Sequence, residues 1–337
     1  MRTGFPGDPA GKGDFSVVMS FKSCFAPQME GFIQHKIALG YSRSSYEKFL
    51  ALFDRFCLNA FPGERSLTQQ LVMQWVRLRP RETANGVKRR MVAIREFGKY
   101  LNAIGLEAYV LPPEMIGSFK PFFPYLFSDE ELTAFFAAAD SLAPHKLSPY
   151  REYTVPVLFR LLYCCGLRPH EVRMIRCTDI NLETGSIYIS DTKVHTDRIV
   201  VMSPDMQSLC RRYDATMRPI LKNRQYFFSS PQGAAYSVNW VQEQFRRCWR
   251  KAGIRQFRGA TAPRVYDFRH NYATRTLMKW MEEGRDLYTW LPYLSAYMGH
   301  AQFSHTAYYI HLLPERLAQT SAIDWARFDS LIPEVTP

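Results

Sequence analysis

The sequence predicts a mainly α-helical protein with a small antiparallel β-sheet, divided into two domains. Three observations carry this expectation. Apolar residues recur at helical spacing through most of the chain, as in Tyr46, Phe49, Leu50, Phe53 and Cys57. Strict alternation is confined to short runs, Ser186-Ile187-Tyr188-Ile189 and Arg198-Ile199-Val200-Val201-Met202, which read as two or three antiparallel strands. Between residues 111 and 127, in LPPEMIGSFKPFFPYLF, four prolines oppose regular structure, so this stretch reads as an interdomain linker. The 337 residues, 47% of them hydrophobic, suffice for two separate cores.

In chain order, the Gly- and Pro-rich residues 1–20 lack the apolar run of a signal peptide and read as a flexible leader. Residues 21–110 then form a small all-helical domain. Ser42 and Ser44 are positioned to cap its second helix, and the turn NAFPGERS ends it. A short helix is expected around Leu67 to Leu78, then a longer one burying Val87, Met91, Ile94 and Leu101. The second domain, 128–316, begins at Ser128 with Glu131, an S-x-x-E capping box. An apolar helix over 153–165 ends at Gly166 in a left-handed cap. Residues 317–337 make a tail with Ile323, Trp325, Phe328 and Leu331 on a further helix.

The net charge of +12 is a statement about partners rather than fold, and it is clustered. Eight basic residues against two acidic ones lie between Arg77 and Lys99, and seven basic residues with no acidic one lie between Phe245 and Val265. The stripe Lys88, Arg89, Arg95 and Lys99, and the group Arg246, Arg247, Arg250, Lys251, Arg258 and Arg264, are therefore candidate contacts to a phosphate backbone. A solvated surface is the ordinary fate of such residues taken singly. Seven cysteines without framework spacing point to reduced thiols and a cytoplasmic setting. No zinc-type spacing, Gly-rich phosphate loop or bilayer-length apolar run is present, so no metal, cofactor or membrane is expected.

The chemistry concentrates in five short pieces: CGLRPHE, TKVHTDRIVVM, YDFRHNYAT, MGH and TAYYIH. Each is weak alone. In this order, and in this strand and helix context, they resemble the tyrosine recombinase, or phage integrase-like, family over roughly residues 20–315. The resemblance implies a helical core-DNA-binding domain followed by a catalytic domain, together clamping duplex DNA. It implies that Arg168 and Arg269 are the two catalytic arginines, Lys193 the lysine of the strand turn, His300 the histidine of the MGH piece and Tyr309 the nucleophile. Glu171 is the acidic residue three positions after the first arginine, and Arg198 follows Lys193 by five. Tyr308 is adjacent to the expected nucleophile, but the spacing from His300 and the presence of His311 favour Tyr309.

The residue types suit that chemistry. Two guanidinium groups can clamp the non-bridging oxygens of a phosphate, and a lysine can protonate a leaving oxygen. His300 can hydrogen-bond the phosphate or help deprotonate the tyrosine. Glu171 is expected to orient Arg168 or a neighbouring histidine. One departure stands out: the family commonly has histidine three residues before the second arginine, where this chain has Tyr266. A phenol can donate a hydrogen bond there but is a poor proton shuttle, and His270 is the nearest compensating group. The implied activity is breakage and rejoining of DNA through a 3′-phosphotyrosyl link, serving integration, excision or transposition of a mobile element. The implied partners are double-stranded DNA with paired recombination sites, further copies of the chain in a tetramer, and companion recombinases, with the protein on the nucleoid when bound. The alternatives are a catalytically weak or inactive accessory DNA-binding protein of the same fold, or a relaxing enzyme of the type IB topoisomerase kind.

Overall fold

The computed structural model describes residues 21–80, 82–119, 124–190, 197–254, 262–300 and 302–310. The chain divides into two compact units, with the boundary between Phe122 and Phe123.

The first unit is helical: α1 (Ala26–Ala38), α2 (Ser44–Ala60), α3 (Gln69–Trp75), α4 (Ala84–Ala103) and the single turn α5 (Pro113–Ile116). Its core is aromatic, with Phe25, Phe32, Phe53, Trp75 and Phe97 all but inaccessible and meeting mostly edge to face. The i, i+3, i+4 pattern of α2 and α4 faces this core, as the spacing predicts: Leu50, Phe53, Cys57, Val87, Met91, Ile94 and Leu101 are all buried. Thr68 and Thr83 cap α3 and α4 through their hydroxyls.

The expected serine cap of α2 is not formed. Arg43 occupies the N-cap position with no side-chain cap. The Ser42 hydroxyl instead meets those of Ser44 and Ser45, while Arg43 is drawn into ion pairs with Glu30 and Glu47. Leu111, at the start of the proline-rich stretch, is fully buried in the core of the first unit, and Phe127, at its end, is buried in that of the second.

The second unit contains α6 (Asp129–Asp140), α7 (Arg151–Cys165), α8 (Pro169–Met174), β1 (Ile180–Asn181), β2 (Ser186–Ile189), β3 (Arg198–Val201), α9 (Pro204–Ile220), α10 (Val238–Lys251), α11 (Asp267–Glu282), α12 (Leu287–Met298) and α13 (Ser304–Ala307). The strands form one antiparallel sheet in the order β1-β2-β3, with Ile187 opposite Val200 and Ile189 opposite Arg198. Ile187, Ile189 and Val200 point into the core while Tyr188, Ile199 and Val201 stay exposed, which is the alternation read from the sequence. Ser128 and Glu131 form the reciprocal capping box expected at the start of α6. Gly166 ends α7 in the left-handed conformation, φ +59°.

Two apolar clusters fill this unit. The larger is centred on Phe268, which has no exposed surface and whose ring lies 5.0 to 6.3 Å from those of Phe127, Phe135, Phe136, Phe159, Tyr163 and Phe245. The smaller is built from α11, α12 and the segment after them, and includes Leu277, Leu291, Met298, Tyr309 and Ile310. Phe268 is the bolt of α11. Its burial fixes the rotation of the helix and so dictates where Arg269 and His270 emerge. Among the described residues no helix is long and apolar enough to cross a membrane, and all seven cysteines are free thiols.

Candidate active site

The site is assembled where two helices end. Gly166 after α7 and Gly299 after α12 are both left-handed C-caps, φ +59° and +64°. Helix C-termini present unsatisfied carbonyls and a negative partial charge, and here guanidinium groups take them up. Arg269 has no exposed surface. It donates from Nη1 to the Gly166 carbonyl at 2.7 Å and from Nη2 to the Met298 carbonyl at 2.6 Å, bridging both helix ends. Arg168 donates from Nη2 to the Gly299 carbonyl at 2.5 Å, and Arg198 from Nε to the Tyr297 carbonyl at 2.8 Å. Three cations thus converge on two helix ends, where the carbonyl dipoles offset their mutual repulsion.

Both glycines are required by space as well as by φ. A Cβ at Gly166 would lie 2.5 Å from the Tyr272 ring, and one at Gly299 would lie 2.9 Å from Nη1 of Arg198. The chain reverses tightly at both points, which is what lets Arg168 before α8, Arg198 of β3 and Arg269 of α11 reach the carbonyls of Gly166, Tyr297, Met298 and Gly299 at these two helix ends.

Glu171 joins Arg168 and Arg198. Its Oε1 accepts from Nη1 of Arg168 at 2.6 Å and Nη1 of Arg198 at 3.0 Å. Its Oε2 accepts from the backbone N–H of Arg168 and from Nη2 of Arg198, both at 2.8 Å. Four donors saturate the lone pairs of one carboxylate. Burial alone would raise the Glu171 carboxyl, but hydrogen bonds and charge from Arg198, then Arg168, overcome it and hold the group down to about 2. The sequence expectation that Glu171 orients Arg168 agrees with this contact. The part played by Arg198 is larger than spacing alone indicated.

Tyr309 lies against this cluster, only 3% exposed. Its hydroxyl meets Nδ1 of His270 at 3.2 Å, and its ring lies over that of His300, centroids 6.0 Å apart and planes 26° apart. Burial pushes the phenol up to about 12, with the positive charges of Arg269 and Arg168 working against the rise. His300 is held down to about 3 by burial and then by Arg269 and Arg168. His270 is held down to about 4 by burial, then by Arg264 and Arg269. Both imidazoles are therefore neutral at pH 7. The centre is positive, buried and supplied with neutral ring nitrogens, which suits an anion. Arg269 keeps donor capacity in reserve, because its buried Nε has no partner among the described residues.

Arg168, Glu171, Arg269, His270, His300 and Tyr309 are thus brought together, and the Tyr266 ring lies beside that of His270, centroids 5.1 Å apart and planes tilted by 52°. Tyr308 is only partly buried and stands at the boundary. Lys193, Arg258 and His311 lie outside the described residues. Thr306 was not singled out by the sequence, yet it is fully buried and its hydroxyl holds Nδ1 of His300 at 2.7 Å. A lone threonine on a short helix carries no signal that would have found it.

The expected phosphate-contacting residues divide. Arg246 and Arg250 are largely exposed, each near Glu243, and Arg89 is exposed. Lys99 is half exposed beside Glu96. Lys88 donates to the Ser118 carbonyl, Arg95 to that of Leu111 and Lys251 to that of Ser141. Arg247 has a buried Nε without a partner among the described residues. Arg264 pairs with Asp267 at the start of α11. Arg95, held by the backbone carbonyl of a core residue, performs a structural task that the basic stripe did not reveal. Among the described residues no group of His, Cys, Asp and Glu is placed to hold a metal ion.

Residues 126–316 match the model of the Phage integrase family. A putative integrase/recombinase of Sinorhizobium fredii, y4rB, is 28% identical over 311 residues, covering 88% of this chain and 96% of its own. Tyrosine recombinase XerC 2 of Ralstonia nicotianae is 30% identical over 194 residues, 57% of this chain and 50% of that one. In fold, the chain is similar to a XerH site-specific recombinase bound to palindromic difH substrate in a post-cleavage complex (TM-score 0.61, 19% identity, 86% of this chain and 80% of that one). It is likewise similar to a lambda integrase in a tetramer bound to a Holliday junction (TM-score 0.61, 12% identity, 89% and 80%).

Proposed function

Because the chain belongs to the phage integrase family of tyrosine recombinases, enzymes of the tyrosine-type DNA strand-transferase class, we propose that it breaks and rejoins DNA through a 3′-phosphotyrosyl intermediate formed on Tyr309. One observation carries the reading. The Tyr309 hydroxyl is buried against Nδ1 of His270 at 3.2 Å, and although burial acts on it most strongly, the charges of Arg269 and Arg168 both reach it, a setting that a tyrosine serving only the core does not need.

Arg168 and Arg269 grip the non-bridging oxygens of the scissile phosphate. The Nε of Arg269 and the second proton on each of its terminal nitrogens are the donors available without giving up Gly166 and Met298. Their charge stabilises the pentacoordinate transition state, where the low polarity of the surroundings strengthens each contact. The Tyr309 oxygen attacks phosphorus, the bond to the 5′-oxygen breaks, and Lys193 supplies that oxygen with its proton. His300, oriented by Thr306, hydrogen-bonds a phosphate oxygen. The link to tyrosine conserves the energy of the broken bond, so rejoining needs no nucleotide hydrolysis.

The partner is duplex DNA carrying paired sites. Residues 21–110 act as a core-binding domain, residues 111–127 as the linker and residues 128–316 as the catalytic domain, with backbone contacts from both domains supplying most of the affinity. The protein works as a tetramer, as the lambda integrase on a Holliday junction does, and its role is integration, excision or transposition of a mobile element. The test is trapping on a nicked suicide duplex bearing the site that the protein selects from a random-sequence library. Wild type should become covalently attached and Tyr309→Phe should bind without attachment. Attachment by the Phe variant, or binding without attachment by wild type, would refute the reading; the second outcome would favour an accessory DNA-binding protein.

A further inference from the structure

Resting on the strand-transfer reading above, we propose that His270 takes the proton of the Tyr309 hydroxyl during attack, a task the position three residues before Arg269 cannot perform because Tyr266 stands there. The contact is direct: Nδ1 of His270 and the phenolic oxygen are 3.2 Å apart. The position is built rather than incidental. Phe268, without exposed surface, fixes the rotation of α11. The His270 ring then lies between the ring of Tyr266, 5.1 Å away, and that of Tyr309, 5.6 Å away. The His270 carbonyl also accepts the Thr274 hydroxyl at 3.0 Å.

The competing groups are less suited. The Nδ1 of His300 is engaged by the Thr306 hydroxyl, and its ring centroid stands 6.0 Å from that of Tyr309, whereas Nδ1 of His270 meets the phenolic oxygen itself at 3.2 Å. Tyr266 has only a phenol to offer, and one phenol is a poor acceptor for the proton of another. The groups facing His270 are Arg264 and Arg269 from the α11 end of the chain, Tyr266 and Tyr309. Burial, and then the two arginines, keep its imidazole neutral in the free protein, so a lone pair is available once the ring proton sits on Nε2. An entering phosphate brings negative charge, which grows in the pentacoordinate state. That charge raises the basicity of His270 when the proton must move.

The step balances. The bond from the Tyr309 oxygen to phosphorus forms as the phosphorus–5′-oxygen bond breaks. The phenolic proton passes to Nδ1, leaving an imidazolium, and the departing 5′-oxygen takes its proton from Lys193. On rejoining, the 5′-hydroxyl attacks phosphorus as its proton returns to Lys193, the bond from phosphorus to the tyrosine oxygen breaks, and His270 returns its proton to that oxygen.

The experiment compares wild type, His270→Gln, His270→Ala and Lys193→Ala on nicked duplexes with either oxygen or sulfur at the bridging 5′ position. A 5′-thiolate leaves without needing an acid, so it relieves the loss of Lys193 but not the loss of a base. Both His270 variants should bind DNA with wild-type affinity and form adduct about 100-fold more slowly or worse. The sulfur substrate should restore Lys193→Ala and leave His270→Gln slow, and added imidazole should speed His270→Ala. A His270→Gln rate within threefold of wild type, or its restoration by sulfur, would overturn the assignment. Failure of wild type itself to form a Tyr309 adduct would instead sink the strand-transfer reading beneath it.

Discussion

Replacing Glu171 by glutamine removes one charge and almost no volume, so it isolates what the carboxylate does between Arg168 and Arg198. In the folded protein the carboxyl is held to about 2 against an ordinary 4.5. At ~1.4 kcal/mol per tenfold change, its ionised form contributes roughly 3 kcal/mol to the folded state. The neutral amide would also leave the guanidinium of Arg198, whose side chain is 8% exposed, without a counter-charge; breaking a buried pair on one side costs about 3–5 kcal/mol. The sign follows from the depressed carboxyl: its stabilisation is complete above the unfolded value of 4.5 and is lost as pH falls from there through about 2. Urea unfolding, read by hydrogen exchange in the core helix α7, should therefore show Glu171→Gln less stable by roughly 3 kcal/mol at pH 7. The gap should narrow to about half that or less at pH 3, because the carboxyl of the unfolded wild-type chain takes up a proton there while the folded one is only beginning to. A gap below about 1 kcal/mol at pH 7, or one that does not change with pH, would show that the carboxylate is not the electrostatic hinge of the two arginines.

Three further outcomes follow from the same geometry. Gly299→Ala should cost about 1–2 kcal/mol for its left-handed backbone, and its Cβ, 2.9 Å from Nη1 of Arg198, should slow strand cleavage more than it weakens DNA binding; equal effects on both would contradict this. The neutral His270 and His300, held to about 4 and about 3, bind protons more readily unfolded than folded. The free protein should thus lose roughly 1–2 kcal/mol per histidine, allowing for partial exposure, as pH falls from 6.5 toward 5. The His270→Gln protein should show a flatter pH dependence by urea unfolding, and an equal slope would refute the neutral assignment. Arg250→Ala, at a largely exposed side chain near Glu243, should weaken DNA binding similarly across sequences and reduce the salt slope by about one, whereas an unchanged slope in a salt titration would remove Arg250 from the phosphate-contacting set.

Much of the fold was legible because its signals are local. The Ser128–Glu131 box, the Gly166 cap and the alternation over residues 186–189 and 198–201 each depend on a few neighbouring residues, and each is present. The cap of α2 departs from the serine pattern because Arg43 is drawn into ion pairs with Glu30 and Glu47, thirteen positions back and four ahead. Serine propensity cannot anticipate such partners.

The candidate site was legible as a set of residue types in order. Its working contacts were not, since Arg269 binds carbonyls 103 and 29 positions away and Thr306 acts through His300. Backbone carbonyls leave no trace in side-chain identity, so a site wired through the ends of α7 and α12 is visible only in three dimensions. Charge clustering likewise could not separate Arg95, which the Leu111 carbonyl takes up, from Arg246 and Arg250, which are largely exposed beside Glu243.

The most direct test of the central claim is mass spectrometry of the protein–DNA adduct from the suicide duplex, digested to peptides and nucleotides. The account predicts a nucleotide 3′-phosphate esterified to Tyr309, with a free 5′-hydroxyl on the released strand. An adduct on Tyr308 or another residue, or a 5′-phosphate link, would contradict it.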